Sequence, residues 1–135
     1  MVSHKFRDKP TLNRLNKEVG MLNENYYNCK LLINNDIISI YIPIVIEYCR
    51  TLMVTITVNY NYPFKPPNVF INNVKYSKIL QLISIKYKCT DMCLCCKTIT
   101  CLDKWKPSCK IQDILTEIYK YHKEITSFLP ADAYD

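Results

Sequence analysis

Glycine is nearly absent from this sequence: Gly20 is the only one in 135 residues. Turns that call for a left-handed backbone must be built from Asn, Asp and Pro, and the pairs Asn34-Asn35 and Asn72-Asn73 suit that work. Histidine occurs only at His4 and His122. No apolar run approaches the ~18 residues that a membrane span requires, and the first residues, Met-Val-Ser-His-Lys-Phe-Arg-Asp-Lys-Pro, lack the apolar core of a signal peptide. A cytoplasmic or nuclear location without membrane contact is the expectation. Long Lys/Arg runs are missing too. The net charge of +6 is scattered, which reads as a solvated surface and gives nucleic acid no clustered basic face.

What is present is enough for one packed domain. The length falls within the usual single-domain range, and 49% of the residues are hydrophobic, enough to fill one core. A helix is predicted from Thr11 to Asn25, with Thr11 as its cap and Leu12, Leu15, Val19 and Leu22 as an apolar stripe; Arg14, Lys17 and Glu18 lie off that stripe. Strands are predicted over Asn28–Ile33, Ile37–Ile46 and Thr51–Tyr60. In the last of these, Leu52, Val54, Ile56 and Val58 alternate with more polar residues, the period of a half-buried strand. Tyr62-Pro63-Phe64-Lys65-Pro66-Pro67 then breaks the sheet, because proline fixes φ and removes ladder donors. Asn68–Ile71 re-enters as a fourth strand. Tyr76–Ile85 is weakly helical, Trp105-Lys106-Pro107 is a stiff turn with Trp105 expected in the core, and one amphipathic helix is expected over Lys110–Ser127. The fold class is therefore α+β, a single domain over residues 1–135 with its core at about 11–127: helix, four-stranded antiparallel meander, proline loop, cysteine-rich segment, helix.

Cysteine is the one reactive residue type in excess. Five of the eight fall between Cys89 and Cys101. In a reducing compartment such crowding points to a catalytic thiol, metal ligands or small buried hydrophobes rather than a disulfide framework.

Three stretches in this order resemble the ubiquitin-conjugating enzyme family: Arg14-Leu15-Asn16-Lys17-Glu18 in the first helix; Tyr62–Pro67 followed by Asn68-Val69; and Cys101-Leu102-Asp103, Trp105-Lys106-Pro107 and Ile111-Gln112-Asp113-Ile114-Leu115. The related RWD domains share the proline loop alone. The resemblance implies a ubiquitin-conjugating-type fold and a cysteine that takes ubiquitin or a ubiquitin-like modifier from an activating enzyme as a thioester. The modifier then passes to a lysine or to a ligase. A thiolate is the nucleophile in such chemistry, and the oxyanion that forms needs a hydrogen-bond donor.

The sequence departs from the family at that donor. The His-Pro-Asn tripeptide is absent, and the corresponding stretch reads Lys88-Cys89-Thr90-Asp91-Met92, where Thr90 is the available hydroxyl. The family's cysteine precedes its Trp by about eight residues, which here falls on Lys97. Cys96 fits with one inserted residue and is placed first; Cys101, Cys93 and Cys95 are its rivals. The resemblance also implies a partner surface made of Arg14, Lys17, Phe64, Lys106, Pro107 and Ser108, with Lys106 in place of the family's Ser. Phe64 reads equally as an exposed anchor or as a core aromatic under the loop.

A catalytically inactive adaptor on the same scaffold is the alternative function. No cofactor is expected, but Cys93, Cys96, Cys101 and Cys109 are an alternative zinc set: Cys93 and Cys96 have ligand spacing, whereas Cys101 and Cys109 do not. The Asn-, Ile-, Lys- and Tyr-rich composition suggests an AT-rich genome such as that of a large DNA virus.

Overall fold

The computed structural model describes residues 10–46, 50–86 and 97–129. Helix α1 (Pro10–Glu24) precedes β1 (Lys30–Asn34), β2 (Ile37–Ile46), β3 (Arg50–Val58), β4 (Asn68–Ile71) and β5 (Val74–Lys75). Helices α2 (Tyr76–Lys86), α3 (Ile111–Lys120) and α4 (His122–Thr126) follow. Pro10 can open α1 because the first N–H of a helix has no partner to lose. The helix ends at Tyr26, whose φ of 69° takes the left-handed position that glycine usually fills, and Tyr27 N–H returns to Leu22 O at 3.1 Å.

The strands form one antiparallel sheet in the order β1-β2-β3-β4-β5. Leu52, Val54, Ile56 and Val58 of β3 are buried, so the period of two seen there in the sequence is the core face, and Ile38, Ile40, Ile42 and Ile44 of β2 are buried with the same period. Val69 and Ile71 extend that face through β4. Pro43 pairs with Met53 of β3, while β1 ends its pairing at Lys30 with Tyr41. Among the described residues Pro43 thus has a neighbouring strand on one side only, an edge-like position at which a missing N–H is tolerated.

Two expectations are corrected. The meander has five strands, not four: Asn72 and Asn73 adopt φ of 48° and 67°, the two-residue turn that closes a hairpin, and Val74 pairs with Ile71. The C-terminal helix is two helices, not one. At Tyr121 the backbone leaves the helical region (φ −105°, ψ 13°). The apolar stripe Ile111, Ile114, Leu115, Ile118 there reaches Tyr121 and His122, both only half-buried, and Ile125 and Leu129 return to the core after the bend. Among the described residues no helix is long and apolar enough to cross a membrane.

Cys29 stands at the entry to β1. Its N–H donates to Asn23 Oδ1 at 2.8 Å, and burial pushes its thiol up from 9.0 to about 11. Below pH 9 the thiol is protonated in both states; between 9 and 11 only the unfolded chain ionises, so stability falls as pH rises through that window. A two-unit shift corresponds to about 2–3 kcal/mol at its upper end. Tyr62 and Tyr76, both raised chiefly by burial, add to the loss above their ordinary value of 10.0. Urea titrations of Cys29→Ala should show the decline starting about one pH unit later than in the wild type; an unchanged onset would remove Cys29 as its cause.

Candidate functional site

The proline loop is held from below. Tyr62 is 1% exposed, and its ring lies 6.0 Å from that of Trp105, tilted by 44°. Its peptide bond to Pro63 is cis. Thr11 lies inside α1 rather than capping it, a further correction. Its hydroxyl donates to Tyr60 O at 3.1 Å and Tyr62 O at 2.7 Å, fastening helix to loop across about fifty residues of chain. From the other side Trp105 Nε1–H donates to Pro63 O at 2.7 Å. Phe64, directly after these fastenings, is 77% exposed. The open choice for Phe64 is thereby decided in favour of the surface.

Glu18 joins the elements. Set off the apolar stripe in the sequence, it is buried, because three donors converge on its carboxylate: Tyr62 OH at 2.6 Å, Arg14 Nε at 3.0 Å and Ile111 N–H at 2.7 Å. The last satisfies an orphan amide at the start of α3, whose neighbour Lys110 N–H donates to Asp113 Oδ2 at 2.8 Å. The same side chain therefore binds the first helix, the proline loop and α3.

Arg14 completes this junction. Its guanidinium donates to Pro107 O and Cys109 O and lies 5.3 Å from the centre of the Tyr62 ring. Much of the donor capacity of Arg14 is thus turned inward, toward the turn after Trp105. Lys17, Lys106, Pro107 and Ser108 are exposed. All six residues named for a partner surface therefore belong to three segments that Arg14, Glu18 and Trp105 draw together.

Of the four candidate thiols, Cys101 is in the described region; Cys93, Cys95 and Cys96 lie outside it, as do Thr90 and the rest of Lys88–Met92. Cys101 is half-buried and lies between two turns. Its N–H closes one with Thr98 O at 3.1 Å; its carbonyl accepts from Lys104 N–H and Trp105 N–H, both at 2.9 Å, to open the next. Beside it a groove of about 330 Å³ runs between the Lys65–Val69 stretch, Lys75–Ser77 at the start of α2, and Thr100 and Leu102. Among the described residues no carboxylate lines this groove, and Lys65 and Lys75 give it a positive edge.

The zinc alternative gains nothing from the described residues. No three His, Cys, Asp or Glu side chains converge there as metal ligands, and Cys93 and Cys96 lie outside them. The sequence pattern missed Glu18 and Thr11 as junction residues. A carboxylate off the apolar stripe reads as solvated, and a hydroxyl at a helix start reads as a cap, until the donors and acceptors that reach them, as many as 93 positions away, are in place. In comparisons with known proteins, no family model, curated protein or solved structure matched the chain.

Proposed function

We propose that this chain is a divergent ubiquitin-conjugating-type domain that carries ubiquitin or a ubiquitin-like modifier as a cysteine thioester and passes it to lysine. The observation that carries the reading is the junction just described. The three segments named from the family resemblance are far apart in the sequence, yet hydrogen bonds draw them together, with Phe64 exposed on the rigid loop and a half-buried thiol beside a groove.

In the loading step the thiolate attacks the carbonyl carbon of the modifier's thioester on the activating enzyme. A new C–S bond forms and the activating enzyme's thiolate leaves. In the transfer step a lysine amine attacks the same carbon, an amide forms, the domain's thiolate leaves and the amine's proton goes to solvent. Cys96 keeps first place from the spacing to Trp105; Cys101 is the rival whose surroundings are described. The absence of His-Pro-Asn favours a second reading, an adaptor that uses the Phe64 surface without forming a thioester.

The test is incubation with activating enzyme, ATP and modifier, with Cys93, Cys95, Cys96 and Cys101 replaced in turn by alanine. A reducible adduct lost in one variant supports the transferase and names its thiol; no adduct in the wild type leaves the adaptor. Both readings predict that Phe64→Ala, at an exposed site, shifts stability by no more than about 0.5 kcal/mol. Both also predict that it weakens ligase binding by about tenfold or more, as loss of a rigid aromatic anchor should. Calorimetry showing unchanged affinity would remove Phe64 from the interface.

A further inference from the structure

The Cys101 turn has a second tether, separate from the one to Pro63. Glu117 of α3 accepts Tyr76 OH on Oε1 at 2.7 Å and Ile99 N–H on Oε2 at 2.9 Å. Tyr76 is the first residue of α2 and is 1% exposed, so its hydroxyl is fixed by the core around its ring. Ile99 is the second residue of the Thr98–Cys101 turn and packs against the core. One carboxylate thus links two helices to the turn that ends at the thiol. On the other flank, Trp105 ties the following turn to Pro63.

We propose that Glu117, oriented by Tyr76, is a positioning residue that sets the direction and accessibility of the Cys101 thiol. Its importance for modifier transfer rests on the proposed function with Cys101 as the thiol; its control of the turn does not. The Glu117 side chain acts through the backbone of Ile99. Ile99 N–H must point at α3 to meet the carboxylate, and with Ile99 oriented the rest of the four-residue turn, including Cys101, has little freedom left. A reacting sulfur held in this way is preorganised, and small displacements of a reacting atom are costly in rate.

The decisive variants are Glu117→Gln, which keeps the shape but leaves one acceptor for two donors, and Tyr76→Phe, which keeps the carboxylate and removes its orienting hydroxyl. Hydrogen exchange followed residue by residue should show the Ile99 amide exchanging about tenfold faster in Glu117→Gln, with amides of β2 and β3 unchanged. A merely structural role would accelerate all of them together. Alkylation of Cys101 by iodoacetamide, followed by peptide mass spectrometry with Cys29 as internal reference, should change severalfold in rate.

Ile99 exchange and Cys101 alkylation both equal to wild type in folded Glu117→Gln would overturn the proposal. If that variant does not fold, Tyr76→Phe decides: faster Ile99 exchange supports the tether, unchanged exchange overturns it. Neither readout uses the modifier, so a wild type that forms no thioester would sink the proposed function and leave this inference standing. A thioester-forming wild type with an indifferent Glu117 would do the reverse.

Discussion

Glu18→Ala is expected to lose about 3–5 kcal/mol of stability, the usual cost of removing one member of a buried charged network. Three donors are stranded at once: the Tyr62 hydroxyl, one guanidinium N–H of Arg14 and the Ile111 amide. Each was desolvated on the expectation of an acceptor. For a chain of this size the melting temperature should fall by roughly 9–15 °C, at about 3 °C per kcal/mol. Glu18→Gln retains one carbonyl acceptor and should be intermediate. Tyr62→Phe removes a single donor and should cost about 1.5–2 kcal/mol. In a double-mutant cycle Glu18→Ala and Tyr62→Phe should be strongly non-additive, since the second change removes a group that the first has already stranded. Thermal melts in which Glu18→Ala stays within 3 °C of the wild type would show that water replaces the carboxylate without penalty.

The second large effect is at Trp105. Trp105→Ala should cost about 3–5 kcal/mol, the range for truncating a large buried aromatic. It is 7% exposed, packs its ring near Tyr62 and donates to Pro63 O. Trp105→Phe keeps most of the packing and loses that hydrogen bond, so about 1 kcal/mol is expected. The contrast separates packing from tethering. Circular dichroism melts are the suitable measurement, because Trp105 is the chain's only tryptophan and its fluorescence disappears with it. Equal losses in the two variants would mean that the hydrogen bond, not the ring, holds the loop. Because the Trp105 ring packs the turn after Cys101 into the core, limited proteolysis should cut between residues 97 and 109 faster in Trp105→Ala than in Trp105→Phe.

These two positions differ in how far the sequence disclosed them. Trp105 could be placed in the core from residue type, since a large aromatic after a polar segment has little else to do but bury its ring. Glu18 could not, because its burial depends on partners from the proline loop and α3. The Cys96 assignment is of a third kind: it rests on spacing to Trp105, and Cys96 itself lies outside the described region.

The residue order was sufficient for whatever depends on local period and local stiffness. Alternation identified the core face of β3, and three prolines marked the rigid loop. Asn pairs in a chain almost without glycine marked the turns with positive φ. These properties act within a few residues of one another, so they survive the absence of the rest of the fold. The fifth strand, the bend at Tyr121, the exposure of Phe64 and the burial of Glu18 needed the assembled chain. Two residues such as Val74-Lys75 become a strand only when β4 supplies the ladder, and an aromatic faces solvent only when Tyr62 and Trp105 already fill the space beneath it. The six positions that the resemblance grouped as a partner surface could be named one by one from the sequence. The drawing together of their three segments comes from hydrogen bonds between groups as many as 95 positions apart, which no local pattern records.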